Sequence, residues 1–405
     1  MAGFLSSDND TYKKRGKKKD YKGFFSRNKF WIAVATLIGA IVGAGVLGIP
    51  YVIAKAGFLY GSILIVILGI VFLLLNLYVA EIVLRTKGKH QLTGYMEKYL
   101  GKKGKILMMI SMIFGVYGAL IAYLIGEGET IKAIFGGNAL IYSLIFFVIV
   151  SIIIYRGVKA TGRTELIIIA LLFIVVILIG LFSLDKITLS NFSTFNPAYF
   201  FLPYGVILFA FLGNIAVPEV AEELEREKKK MKKAIIIGSL IPIVLYILFS
   251  VVVVGVVGLG NFELLGPNER IATIALSMYS NPILGILANV FAIFAMLTSF
   301  LALGIALVTM YNYDFKISKN TSFILTLAVP LVIVLFKLTN FLEVLGIAGA
   351  VSAGINCVLI TIAFHKAKKK GDRKPEFTLN APWIVSLVIV LVILIGVIGE
   401  LVGFF

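Results

Sequence analysis

The stretch LIGAIVGAGVLGIPY, residues 37–51, sets Gly39, Gly43, Gly45 and Gly48, and then Pro50, into an otherwise apolar run. Each interior glycine weakens a helix by roughly 1 kcal/mol relative to alanine, so this run is built to interrupt its own helix. Unwinding inside a bilayer exposes amide and carbonyl groups that cost several kcal/mol each unless something satisfies them. A ligand can do so. Free amides at the start of a half-helix, at the positive end of its dipole, suit a carboxylate, and released carbonyls suit an ammonium group or a cation. An α-amino acid carries both charges on one carbon, and the small residues at 43–45 let it approach the backbone. The competing use of Gly39 and Gly43 is a GxxxG face for packing another helix.

A second stretch, FFLPYGVILFAFLGNIAVPEV at 200–220, repeats the defect about 170 residues later, with Gly213 and Asn214 at mid-depth and Pro218 after them. Paired interrupted helices in two halves of a chain point to the central site of a secondary transporter. Other chemistry-bearing residues are sparse. Thr298 and Ser299 form a hydroxyl pair in a long uncharged run, and each hydroxyl has the alternative of bonding a carbonyl one turn back. Glu81, Glu127, Glu129, Glu165 and Glu219 fall at the ends of apolar runs, where interfacial or gate positions are expected. His90 and His365 have no metal-ligand companions and read as surface residues. Paired catalytic carboxylates, a nucleophile triad, a P-loop and a Cys/His cluster are all missing, which argues against an enzyme or an ATP-driven pump and implies no cofactor.

The elements that must hold these residues follow from composition. Sixty per cent of the 405 residues are hydrophobic and 15% charged, which indicates an all-α polytopic membrane protein. Eleven runs are long enough to span: 31–54, 57–80, 106–126, 134–155, 166–183, 200–218, 234–259, 282–312, 321–337, 342–364 and 381–403. With the N-terminus inside, 33 of the 38 lysines and arginines fall in the tail or in alternate loops, leaving Lys55, Lys132, Lys186, Arg270 and Lys337 outside. The positive-inside rule thus predicts a multi-pass protein of the cell membrane with a cytoplasmic N-terminus and an extracytoplasmic C-terminus. Five spans per half make the halves inverted. The expected organisation is a lysine-rich cytoplasmic tail (1–29) with no cleaved signal, a first repeat (30–185), an inverted second repeat (198–366) and an added eleventh helix (380–405). The net charge of +17 suits anionic lipid of the inner leaflet better than nucleic acid. Cys357, the one cysteine, cannot form an intrachain disulfide.

GAGVLGIPYVIAKAGFLYG, VYGALIAYLIGEGETI, KKAIIIGSLIPIVLYILF and FAMLTSFLALGIAL occur in order along the chain. Together they resemble the hydroxy and aromatic amino acid permease family, beside the amino acid/auxin permeases in the amino acid–polyamine–organocation superfamily. The resemblance runs from about residue 31 to 403. It implies a leucine-transporter-like fold of ten core helices in two inverted repeats, with broken helices 1 and 6, working by alternating access.

The resemblance also implies roles. Gly43, Ala44 and Gly45 would offer amides to a substrate carboxylate. The carbonyls of Phe209, Ala210 and Phe211 would take the amino group, with Phe211, Leu212 and Asn214 lining the side-chain pocket. In span 3, Tyr117 and Tyr123 are six residues apart and cannot share a helix face; Tyr117, nearer mid-depth, is the one expected in the pocket. In sodium-coupled relatives of this fold, a hydroxyl pair such as Thr298 and Ser299 joins carbonyls of span 1, here Gly39 and Val42, with Ala295 one turn earlier in span 8. The histidine common near the span-6 break of proton-coupled members has no counterpart here. The coupling ion is therefore H+ or Na+, with H+ placed first on family grounds. The expected activity is cation-coupled symport of an aromatic or other neutral amino acid; the alternative is a non-transporting amino-acid sensor on the same fold.

Overall fold

A computed structural model describes residues 29–156 and 162–403. The lysine-rich tail, apart from Lys29, and most of the 156–163 connection lie outside the described residues. In a bilayer each segment must satisfy its own backbone, so apolar runs become helices. Every run identified in the sequence coincides with one. Span 1 is a pair, α1 (Lys29–Ile41) and α2 (Gly45–Ala56), bent by 53° at the glycine-rich break. Next come α3 (Phe58–Arg85), α4 (Leu92–Phe135), α5 (Ala139–Arg156) and α6 (Gly162–Phe182). Span 6 is again divided, into α7 (Leu202–Ala210) and α8 (Val217–Glu223). The remainder are α9 (Met231–Leu264), α10 (Ala272–Tyr279), α11 (Pro282–Phe315), α12 (Lys319–Leu335), α13 (Phe341–Lys370) and α14 (Trp383–Gly403).

Sidedness within the bundle separates core from lipid. The broken helices, α4, α9 and α13 are buried, whereas α5, α6 and α14 turn Ile145, Ile149, Ile177, Leu387 and Leu391 outward, as lipid-facing helices must. Polar bolts fix α4 against α13: the Ser111 hydroxyl donates to the Ser352 carbonyl at 2.9 Å, and the Ser352 hydroxyl donates back to the Ser111 carbonyl at 3.0 Å. Between hydrocarbon-coated helices such reciprocal bonds set depth and rotation, which apolar contact alone leaves loose.

The structure revises the sequence reading in four places. Span 3 does not end near residue 126; α4 runs on to Phe135, so Glu127 lies inside a helix and is fully buried. The segment expected to be an outer loop between spans 7 and 8 contains α10, whose Ala272–Leu276 stretch is buried against its neighbours. Glu81 is not an interfacial carboxylate. It has no exposed surface, pairs with Arg85 at 2.8 Å and accepts the Leu379 amide at 2.7 Å, tying the chain between α13 and α14 to the end of α3. His365 likewise turns inward, stacking on Trp383 at 4.1 Å and bonding Ser386 at 2.8 Å.

Candidate functional site

The two breaks meet. A Cβ added to Gly45 would stand 2.6 Å from the Ala210 Cα, and one added to Gly213 would stand 2.3 Å from Ile41 Cγ1. The first break therefore receives the backbone of the second, and the second receives the Ile41 side chain of the first, at distances that only glycine permits. The start of α2 has no capping side chain: Ala44 occupies the N-cap position, so the amides around Gly43–Gly45 face the break with the positive end of the half-helix dipole behind them.

Two tyrosines close the gap. Tyr123 of α4 is buried, and its hydroxyl and the Ser299 hydroxyl both approach Gly43. A Cβ on Gly43 would come within 2.7 Å of that hydroxyl and 3.8 Å of Ser299 Oγ. Gly43, Ala44, Tyr123 and Ser299 thus converge from α2's start, α4 and α11. On the opposite side the fully buried Tyr246 of α9 donates to the Ile41 carbonyl at 2.9 Å and the Ala210 carbonyl at 2.8 Å. One hydroxyl joins the carbonyl ends of α1 and α7.

Tyr117, the tyrosine expected in the pocket, lies apart from this convergence. Its hydroxyl donates to the Leu325 carbonyl at 2.8 Å and meets the Tyr311 hydroxyl at 3.1 Å, on the side of α11 and α12. Six residues of helix turn Tyr117 away from the face that Tyr123 presents. The other sequence-predicted residues divide as well. Phe211 packs its ring behind the break, between Phe72 at 6.2 Å and Tyr246 at 5.1 Å, instead of lining the side facing α4. Of the carbonyls expected to hold an amino group, Phe209's accepts the Leu212 amide at 3.1 Å and Ala210's accepts Tyr246. Leu212 is half-buried at the break, and Asn214 is buried with its Nδ2 unpartnered. An orphaned donor at that depth is a vacancy for an acceptor.

The hydroxyl pair of span 8 splits. Thr298 donates to the carbonyls of Phe294 and Ala295, both at 3.1 Å, the back-bonding that membrane helices favour. Ser299 alone looks toward the span-1 break. Gly39 is half-buried and Val42 buried; the Val42 amide closes α1 on the Ile38 carbonyl at 2.7 Å. Tyr246 was passed over in the sequence, where its signal was a lone phenol in the apolar run LIPIVLYILF. Among the described residues no cluster of His, Cys, Asp or Glu could hold a metal ion.

Comparison with known proteins places this geometry in context. The sequence profile of the tryptophan/tyrosine permease family matches residues 26–402. Tyrosine-specific transport system 1 of Haemophilus influenzae is 25% identical over 390 residues, 91% of this chain and 95% of that one. The low affinity tryptophan permease of Escherichia coli is 24% identical over 393 residues, 91% and 93% of the two chains. Glutamine transporter 2 of Aliivibrio fischeri is 25% identical over 332 residues, 80% and 85%. Among solved structures, that of MhsT in complex with L-phenylalanine superposes with a TM-score of 0.65 at 16% identity, covering 94% of this chain and 98% of that one; the likeness is one of fold.

Proposed function

The chain belongs to the tryptophan/tyrosine permease family, and from that premise we propose that it is a secondary active transporter that moves a neutral amino acid, aromatic by preference, across the cell membrane with a proton. The observation that carries the reading is the meeting of the two broken helices at Gly45–Ala210 and Gly213–Ile41. The substrate carboxylate would take the amides of Gly43, Ala44 and Gly45, beside the Tyr123 hydroxyl. The amino group would take carbonyls at the ends of α1 and α7, and Asn214 Nδ2 would offer a donor near the side chain. A zwitterion held so links half-helices from both repeats, and its affinity differs between conformations that bring the breaks together and those that part them. That difference is what alternating access requires.

A proton is favoured as the coupling ion on the family resemblance, and Thr298 makes the back-bond to the Ala295 carbonyl that a membrane-helix hydroxyl makes without any ion. The receptor alternative draws no support from relatives whose names are those of transporters. The test is uptake by purified protein in liposomes across a panel of amino acids, with pH and Na+ gradients imposed separately. Accumulation of an aromatic amino acid under a pH gradient in Na+-free buffer is the expected result. Accumulation only with Na+ would replace the ion, and no uptake of any amino acid would remove the transporter reading.

A further inference from the structure

Glu127 lies in the middle of the far half of α4, one helical turn past Tyr123. It has no exposed surface, and neither carboxyl oxygen has a hydrogen-bond partner. Buried Glu81, by contrast, is provided for: it holds Arg85 and the Leu379 amide. Glu127 is different in kind. A carboxylate stripped of water and given neither donor nor cation is costly to keep ionised, so the charge of this group is tied to whether water reaches it.

Its surroundings make that access conditional. Tyr123, Glu127 and Thr130 follow the i, i+4, i+7 spacing that lines up one helix face. The face begins at the span-1 break, where the hydroxyls of Tyr123 and Ser299 approach Gly43. Glu127 stands about 6 Å further along the axis, and Thr130 another turn beyond. Thr130 is fully buried with an unpartnered hydroxyl, and so, at 2% exposure, is Thr273 of α10, which packs on α4. These are vacant polar groups on a path from the break toward the α4–α5 turn. The charged groups on neighbouring elements are engaged elsewhere. Lys132 pairs with Glu129 at 3.2 Å and Glu269 at 3.5 Å, and Arg270 bonds the Phe262 carbonyl at 3.2 Å. Glu343 of α13 closes the Asn340 cap. Tyr142 of α5 reaches the Gly137 turn, Tyr279 of α10 and Lys337 beyond α12 give Glu127 no hydrogen bond, and α11 brings no charge to this half.

We propose that Glu127 is the site of the coupling proton, an inference that rests on the proton-coupled reading above. When the end of the bundle at the α4–α5 turn opens, water reaches the stripe and the ionised carboxylate takes a proton from that side. Closure over the amino acid then buries the neutral acid next to the occupied break. Opening at the other end rehydrates the group through Tyr123 and Ser299, and the same proton leaves with the substrate. Closure over the amino acid with an ionised Glu127 would bury a bare charge beside the occupied break, so substrate movement without a proton is suppressed; the empty carrier returns with the carboxylate ionised and hydrated through the unoccupied break, ready to take the next proton.

The test uses full-length protein in liposomes with labelled L-tyrosine, L-tryptophan and L-glutamine as probes. Glu127→Gln mimics the protonated state. It should exchange internal for external amino acid at close to the wild-type rate, while accumulation driven by a pH gradient falls to the equilibration level and the pH dependence of exchange disappears. Glu127→Asp, which keeps the acid on a shorter arm, should retain gradient-driven accumulation with a displaced pH profile, and it decides the matter if the Gln variant is not recovered folded. Gradient-driven accumulation by Glu127→Gln, or a wild-type pH profile in Glu127→Asp, would overturn the assignment while leaving proton coupling intact. Wild-type protein that accumulates none of the probes under a pH gradient would overturn the coupling reading and this site together.

Discussion

The phenol of Tyr246 shares its one hydroxyl hydrogen between the last carbonyl of α1 and the last carbonyl of α7, standing where a cation or an ammonium group could otherwise bridge the two. Tyr246→Phe leaves both acceptors buried without a donor, which should lower stability by about 1–3 kcal/mol, read as a fall in melting temperature in detergent. Because the lost contact also joins the two half-helices, transport should fall more than that of a variant equally destabilised elsewhere, such as Ile389→Ala in α14. The glycines of span 1 divide by what a side chain would strike. At Gly43 the obstacle is the end of the Tyr123 side chain, whereas at Gly45 it is the backbone of Ala210. Gly43→Val should therefore give folded protein that binds no substrate, measured by scintillation proximity with labelled amino acid. Gly45→Val should also reduce the yield of folded protein, since backbone cannot swing aside. Substrate affinity at the wild-type level in folded Gly43→Val would exclude the amides of 43–45 as the carboxylate site.

Helices carry these residues, and their legibility from sequence was uneven for physical reasons. Long apolar runs are visible because a bilayer demands them, and both breaks are visible because glycine and proline mark the backbone directly. What a sequence window cannot supply is rotation. Tyr117 and Tyr123 differ only in which neighbour each faces, and that is fixed by the Ser111–Ser352 bolts between α4 and α13. Nor can a window distinguish a charge that ends a helix from one buried within it, which is why Glu127 read as a terminus. Helix α10 escaped notice because eight residues are too few to span. The eleventh helix reads as an appendage, yet the buried Glu400 of α14 packs on Gly205 at the start of α7, its Oε1 2.8 Å from where a Cβ would stand. Glu400→Ala should empty that contact and lower stability by about 2 kcal/mol. Glu400→Gln fills the same space and should lower it by less; equal losses in thermal melts would exclude packing on Gly205 as the cause.

At the scale of the whole molecule the open question is which way the bundle sits in the membrane. Both the inversion of the halves and the direction in which Glu127 would meet a proton gradient depend on it. Among the described residues the basic side chains gather at one end, in the loops after α3 and α8 and between α13 and α14, and only Lys55, Lys132, Lys186, Arg270 and Lys337 belong to the other. Lysine and arginine in short loops resist translocation, so the basic end should be cytoplasmic and the α4–α5 turn should face outward. Cys357 is fully buried and the sole cysteine, which makes Cys357→Ala a clean background for labelling. In it, Leu189→Cys, at a position 79% exposed in the α6–α7 connection, should react with a membrane-impermeant maleimide applied to intact cells. Lys229→Cys, exposed just before α9, should react only after the membrane is opened. The reverse pattern would turn the bundle over. Glu127 would then open toward the cytoplasm, and an inward pH gradient would have to load it from the other end of the path through Ser299 and Tyr123.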